Sequence, residues 1–240
     1  MMKNVELAKQ LISLLDLTSL NDSDTDKTIE TLCQKAVTPL GKVAAVCVYP
    51  VFVSQAKKLL QGTDIHIATV INFPDGKETV TDCVNEIKDV LKEGADEIDI
   101  VMPYEAYLQG DDSDVAEFLQ ACRGMMGPTL IMKVILETGA LINPEMIEGA
   151  TRLAIEAKAN FIKTSTGKIK VGATLPAAKV ILNTIKNAGK PVGFKASGGI
   201  RTVEDANRYL MLAKEIMGDD WVSVQTMRLG ASSLLDDILH

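Results

Sequence analysis

An eight-stranded α/β barrel is the fold this sequence predicts, on three observations. Eight short, β-branched apolar runs alternate with longer amphipathic stretches. Most of these runs are apolar on successive residues, the pattern of parallel strands covered on both faces. The chain has 240 residues, close to the roughly 250 typical of eight βα units. No low-complexity segment and no Pro/Gly/Ser-rich linker divides it. Residues 1–240 are therefore expected to form one single-domain (β/α)8 TIM barrel. Pattern alone leaves a doubly wound open sheet as the alternative.

In chain order the expected strands are 14–18, 44–49, 65–71, 97–102, 130–136, 161–165, 192–196 and 227–231. The helices between them have recognisable ends. In 79–92 the apolar residues Val80, Cys83, Ile87, Val90 and Leu91 recur at helical spacing, and Gly94 follows as a stop. Asn143 followed by Pro144 reads as an N-cap with proline at the first helical position. Thr202 with Asp205 three residues on is close to a capping box.

Composition excludes several classes. Apolar residues make up 47% and charged residues 24%, a globular balance that rules out disorder and collagen-like structure. Lys plus Arg number 25 against 32 Asp plus Glu, a net charge of −7. A chain of that sign has no general attraction for nucleic acid or anionic membranes, so an anionic substrate needs a local basic pocket. The two histidines, His66 and His240, are too few for most zinc sites or a His-based triad. Neither a Walker motif nor a dinucleotide GxGxxG occurs, so nothing points to a nucleotide cofactor. Cys33, Cys47, Cys83 and Cys122 form no CxxC pair and read as reduced thiols of a cytosolic protein. The N-terminus lacks a signal-peptide core. The longest apolar run, 43–53, is interrupted by Pro50 and falls short of the ~20 residues of a membrane span. A cytoplasmic location is the expectation.

The most informative residues are charges inside apolar strands. Asp99 lies in EIDIV (97–101), Lys133 in LIMKVI (130–135), Lys163 in NFIKT (160–164) and Lys195 in PVGFKA (191–196). Their separations of 34, 30 and 32 residues are about one βα unit, so the four are expected at equivalent places on consecutive strands. Parallel neighbours lie about 4.8 Å apart. Pointing inward near the C-terminal ends, the four would form one cluster at the mouth where barrel enzymes do their chemistry. A single lysine of this kind is better read as a charge snorkelling to water or a structural ion pair; four in register weaken that reading. Three lysines against one aspartate leave excess positive charge in a desolvated place, which lowers lysine pKa values. An ordinary lysine with pKa near 10.4 is neutral only about once in 10³ at pH 7. A second cation nearby raises that fraction, and the neutral amine can attack a carbonyl to form a Schiff base. Lys163 and Lys195 are the natural pair, and the residues alone do not say which is the nucleophile.

Three glycine-containing turns follow the last three expected strands: STGK (165–168), SGGIR (197–201) and GASS (230–233). Glycine lets backbone approach an anion, and helix N-termini bind it. In barrels the loops after strands 7 and 8 are the frequent phosphate site. With Lys168, Arg201 and the serines, the three turns together predict phosphate binding.

FIKTSTGK (161–168), GFKASGGIR (193–201) and DEIDIVMP (96–103) closely resemble the 2-deoxyribose-5-phosphate aldolase family. So do LDLT (15–18), VCVYP (46–50), KVILETG (133–139) and RLGASS (228–233), collinear across about 14–235. The resemblance implies a class I aldolase on a TIM barrel, with no metal and no cofactor. Such an enzyme reversibly cleaves 2-deoxy-D-ribose 5-phosphate to acetaldehyde and D-glyceraldehyde 3-phosphate in deoxyribose phosphate catabolism. The partners implied are this phosphorylated sugar and acetaldehyde, with a homodimer an unsurprising state. By the same resemblance Lys163 is the Schiff-base lysine, Lys195 the second lysine that perturbs it and helps move protons, and Asp99 the acid of the relay. Lys133 belongs to that network. Thr166, Gly167, Lys168, Gly198, Gly199, Gly230, Ala231, Ser232 and Ser233 are phosphate-side positions, and Asp16 and Thr18 are polar residues near the substrate. One departure is visible: some members carry a longer C-terminal tail ending in tyrosine, while this chain stops at His240. Slower proton exchange on the enamine, or exchange through water, is the expectation.

Other features are weighed against plainer readings. Asp22, Asp24 and Asp26 have the spacing that opens a calcium loop, but Lys27 and Cys33 stand where glycine and glutamate are needed, so a helix N-cap cluster is expected. His66 reads as a packed core residue. Cys47, late in the second strand, is either a small buried apolar residue or a reactive thiol open to unsaturated aldehydes. The rival functions are another lysine-dependent sugar-phosphate aldolase or transaldolase, a sugar-phosphate isomerase or epimerase, and a non-catalytic sugar-phosphate-binding protein.

Overall fold

The protein is described by a computed structural model covering residues 5–141 and 143–240; the expectation that the N-terminus lacks a signal-peptide core falls largely on residues outside them. Each expected strand is present, with ends shifted by at most two residues. They are β1 (Leu15–Thr18), β2 (Ala45–Val48), β3 (His66–Ile71), β4 (Glu97–Val101), β5 (Ile131–Ile135), β6 (Phe161–Lys163), β7 (Gly193–Ser197) and β8 (Met227–Ala231). All pair in parallel with their sequence neighbours, and β1 also pairs with β8. The sheet is therefore closed. That closure excludes the open-sheet alternative.

The helices begin and end where local chemistry dictates. Val80–Glu93 is capped by Thr79 and stops at Gly94, whose φ of 100° is the left-handed conformation glycine tolerates. Pro144–Glu156 starts behind Asn143, whose side chain accepts from the Glu145 N–H. Val203–Met217 carries both halves of the Thr202/Asp205 capping box. At Asp26–Lys35 the cap differs from expectation. Thr25 and Thr28 form the box, whereas Asp24 accepts from Ser19 Oγ and the Asn21 N–H and so braces the preceding loop. Among the described residues no three of His, Cys, Asp and Glu are grouped to hold a metal ion, and no helix is long and apolar enough to cross a membrane. A short ladder of Val37–Thr38 on Gly41–Lys42 precedes β2, and a helix Val5–Ser13 packs against Val203–Met217. Neither was expected.

Strand alternation sorts the two faces of the barrel. In β2 and β3, Val46, Val48, Ile67 and Ile71 belong to the large cluster under the helices. Ala45, Cys47, Ala68 and Val70 form a separate small cluster with Leu20 inside the barrel. These interior residues are small. On the other side of the interior stand Asp16, Glu97, Asp99, Lys133, Phe161, Lys163, Lys195 and Arg228, all at most 3% exposed. One half of the barrel lumen is small and apolar; the other is ionic.

Candidate active site

Register brings the ionic residues together. Asp99 pairs with Lys133, and Lys163 pairs with Lys195, which in turn pairs with Arg228. Lys133, however, pairs with Phe161, so Lys163 stands two residues nearer the C-terminal mouth than its neighbour. The four are not at one level, as equal spacing suggested. Closure of the cluster comes through one carboxylate. Asp99 Oδ1 accepts from Lys133 Nζ at 2.8 Å, and Oδ2 accepts from Lys163 Nζ and Lys195 Nζ, each at 2.7 Å.

The balance of charge also differs from three lysines against one acid. Asp16 Oδ2 accepts from Lys195 Nζ at 2.5 Å, and Glu97 Oε2 lies 2.5 Å from Lys133 Nζ. Arg228 donates to Asp16 Oδ1 at 2.7 Å and to Glu97 Oε1 at 2.8 Å. Three acids thus face four bases. Glu97 and Arg228 escaped the sequence reading, although Arg228 continues the one-unit series, 33 residues after Lys195.

Electrostatics separates the lysines. Burial lowers Lys163, and Lys195 lowers it further, so that Asp99 does not restore it to the ordinary range. Burial lowers Lys195 too, but Asp16 and Asp99 outweigh it and hold the amine above its usual value. Lys133 is likewise raised, because Asp99, Glu97 and Asp16 overcome its desolvation. Burial alone would raise Asp99; the ammonium groups of Lys133, Lys163 and Lys195 pull it well below the carboxylate range. Only one of the three buried lysines is thereby poised toward the neutral amine.

Glycine makes room for this packing. A Cβ on Gly230 would lie 3.0 Å from Lys195 Cε and 2.8 Å from Ser197 Cβ. Gly230 thus gives Lys195 its space, a role beyond that of a turn. A Cβ on Gly193 would meet the Phe161 ring at 2.5 Å, and that ring lies under the Arg228 guanidinium, 5.4 Å from its centroid.

Above Lys163, at the C-terminal ends of β1, β6, β7 and β8, opens a cavity of about 260 Å³. Its walls include Thr18, Thr166, Gly167, Lys168, Gly198, Gly199, Gly230, Ala231, Ser232 and Ser233. Leu20, Asn21, Ile200 and Arg201 also line it. Among the described residues that line it are three cations, Lys163, Lys168 and Arg201, and no carboxylate, in a chain whose net charge is −7. Lys168 Nζ donates to the Leu20 carbonyl at 2.5 Å and lies over the Tyr49 ring. Gly167, Gly198 and Gly199 have φ of 81°, 89° and 86°, a backbone only glycine adopts without strain.

Asp16 and Lys133 do not reach this wall. Both are fully buried beneath it, and Asp16 meets Lys195 and Arg228. Cys47 is also fully buried and off the wall; burial, then the Asp99 charge, push its thiol up. That is the environment of a packed, protonated thiol. His66 is no core residue. It begins β3 at the opposite mouth, with 45% of its side chain exposed and Nδ1 2.7 Å from Glu97 Oε1. One further acid went unread. Glu137, fully buried at φ 57°, accepts from Thr166 Oγ1 at 2.5 Å.

A family model described as DeoC/LacD family aldolase matches residues 10–240. A solved chain from Coccidioides immitis, provisionally designated a deoxyribose-phosphate aldolase, is 31% identical, with TM-score 0.87 over 97% of this chain and 87% of that one. The solved aldolase QR15 is 31% identical, with TM-score 0.80 over 95% and 96% of the two chains. A tetrameric deoxyribose phosphate aldolase from Aeropyrum pernix, 24% identical, shares the fold at TM-score 0.79 over 98% and 94%.

Proposed function

Because the chain belongs to the DeoC/LacD aldolase family, and is thus an aldolase, we propose that it is a class I enzyme that forms a Schiff base on Lys163 and reversibly cleaves 2-deoxy-D-ribose 5-phosphate to acetaldehyde and D-glyceraldehyde 3-phosphate. One observation carries this reading: Lys163, alone of the three buried lysines, lies on a cavity wall that bears cations and no carboxylate. An amine with a lowered pKa beneath an anion-receptive pocket suits imine chemistry on a phosphorylated aldehyde. The likeness to the Coccidioides chain supports deoxyribose phosphate as the substrate, and that to QR15 supports aldolase activity.

In the mechanism that follows, neutral Lys163 attacks C1 of the open-chain aldehyde, and loss of water leaves a protonated imine. This imine is the electron sink. A base takes the proton of the C3 hydroxyl, the C2–C3 bond breaks, and its electron pair becomes the enamine on Lys163. Glyceraldehyde 3-phosphate departs. Protonation at C2 and hydrolysis then release acetaldehyde and the free amine. Asp99 and Lys195, in contact with the Lys163 nitrogen or with each other, are the proton carriers. The turns at 166–168, 198–199 and 230–233, with Arg201, hold the phosphate far from the reacting bond, which supplies positioning.

Borohydride reduction in the presence of acetaldehyde, followed by peptide mapping, tests the proposal. An N-ethyl group on Lys163 is expected. An adduct on Lys195 or Lys133 would keep the aldolase but overturn the roles. An adduct with ketone donors only would mean a different lysine-dependent aldolase or transaldolase. No adduct on a folded protein refutes the Schiff base.

A further inference from the structure

We propose that Arg228 is a positioning residue for this chemistry, acting from the N-terminal mouth of the barrel: it orients Asp16 and thereby keeps Lys195 beside Asp99. The proposal rests on the Schiff-base reading above.

The geometry is a relay of contacts. Arg228 is 2% exposed and held at every polar atom. Nε donates to the Val224 carbonyl at 2.7 Å, Nη2 to Glu97 Oε1 at 2.8 Å, and Nη1 to Asp16 Oδ1 at 2.7 Å and Glu97 Oε2 at 3.2 Å. The Phe161 ring closes one face. Asp16 spends its other oxygen on Lys195, at 2.5 Å, and Lys195 reaches Asp99 Oδ2 at 2.7 Å. That same oxygen accepts from Lys163. The chain of contacts therefore runs Arg228, Asp16, Lys195, Asp99, Lys163.

Removing the guanidinium leaves Asp16 Oδ1 without its charged donor, and a buried carboxylate oxygen that loses such a partner is costly. Asp16 then turns toward the remaining ammonium groups and draws Lys195 off Asp99. Asp99 is left to Lys163 and Lys133, which holds Lys163 more firmly as the ammonium. The groups facing Arg228 on every side enter this balance: Glu97 and Asp16 directly, Lys133 through both acids, and His66 through Glu97. Arg228 does not line the substrate cavity. It borders a separate cavity of about 540 Å³ at the opposite mouth, with His66, Asp64, Lys42 and Asn160.

That second opening supplies the test. Arg228→Ala leaves a guanidinium-sized void reachable from the face away from the substrate. Cleavage of deoxyribose 5-phosphate by Arg228→Ala is expected to show kcat reduced at least tenfold with KM within about twofold, and the acidic limb of the pH profile displaced upward. Added guanidinium at millimolar concentration should restore kcat saturably, whereas urea, planar but uncharged, should not; wild type should be unaffected by either. Arg228→Lys, which keeps a charge but cannot bridge Asp16 and Glu97, serves if the alanine variant does not fold; the same kcat loss and limb displacement are expected. A folded variant with wild-type kcat, a loss confined to KM, or equal response to urea and guanidinium would overturn the proposal. Wild-type protein that yields no Lys163 adduct with acetaldehyde and borohydride would overturn the Schiff-base reading first, and this proposal with it.

Discussion

Lys195→Met isolates the electrostatic part of the proposed mechanism. Lys163 Nζ and Lys195 Nζ each lie 2.7 Å from the same Asp99 Oδ2, so they are at most twice that distance, 5.4 Å, apart. At an effective dielectric constant of about 20, two unit charges at that distance repel by ~3 kcal/mol, or about 2 pKa units. Both amines are buried, so solvent screens little of this. Removing the Lys195 charge also leaves Asp99 shared by two ammonium groups instead of three, which acts in the same direction. Lys163 should therefore become harder to deprotonate by about two units (~100-fold less neutral amine at pH 7). The assay is the initial rate of borohydride trapping of acetaldehyde as a function of pH, which reads amine nucleophilicity apart from later proton transfers. Its rising limb should move to higher pH by that amount, and trapping well above the limb should match wild type. Cleavage should stay impaired even there, because a proton carrier is missing. A melting curve checks that the variant is folded, since buried Asp16 loses its Lys195 partner and keeps only Arg228 and, at 3.5 Å, Lys133. A trapping limb that stays in place or moves to lower pH would refute the reasoning.

Three further outcomes are expected. Gly230→Ala places a methyl 3.0 Å from Lys195 Cε, so it should destabilise by ~1–3 kcal/mol through overpacking; by moving the amine it should lower kcat about a hundredfold; wild-type kcat in the variant would show that Gly230 does not hold the space Lys195 needs. The Glu97 hydrogen bond raises the pKa of His66 against its partial burial. Its stabilisation is thus fully present below the unfolded value near 6.5 and lost as pH rises through the folded value. The difference in unfolding free energy between wild type and His66→Asn should accordingly shrink from about pH 5 to pH 9, and a flat difference in urea melts would contradict the pairing. Thr202→Ala removes one half of a complete capping box and should cost ~1 kcal/mol with KM unchanged, read by urea melts and steady-state kinetics.

Much of the barrel was legible because its strands are buried on both faces and so stand out as continuous apolar runs. Even the short β1 and β8 lie close to their expected limits. Helix ends were legible at Thr79, Asn143 and Thr202, where a side chain caps its own N-terminus. The helix at Asp26–Lys35 shows the limit of that logic: among several candidate oxygens near 22–28, which one caps depends on where Ser19 and Asn21 draw Asp24.

Sequence by itself determined the parallel βα repeat, the spacing that puts Asp99, Lys133, Lys163 and Lys195 on consecutive strands, and the glycine turns that wall the cavity; closure into a barrel was left to the tertiary structure. These follow from period and residue type, which are local properties. Only tertiary structure decided which charges neutralise which. Asp16 and Arg228 are 212 residues apart and meet because closure sets β8 against β1. Lys163 is separated from Lys195 and Lys133 by the partners each finds across the lumen, not by anything in its own strand. Burial acts on all three alike, so the amine poised to react is the one whose neighbours fail to compensate its desolvation.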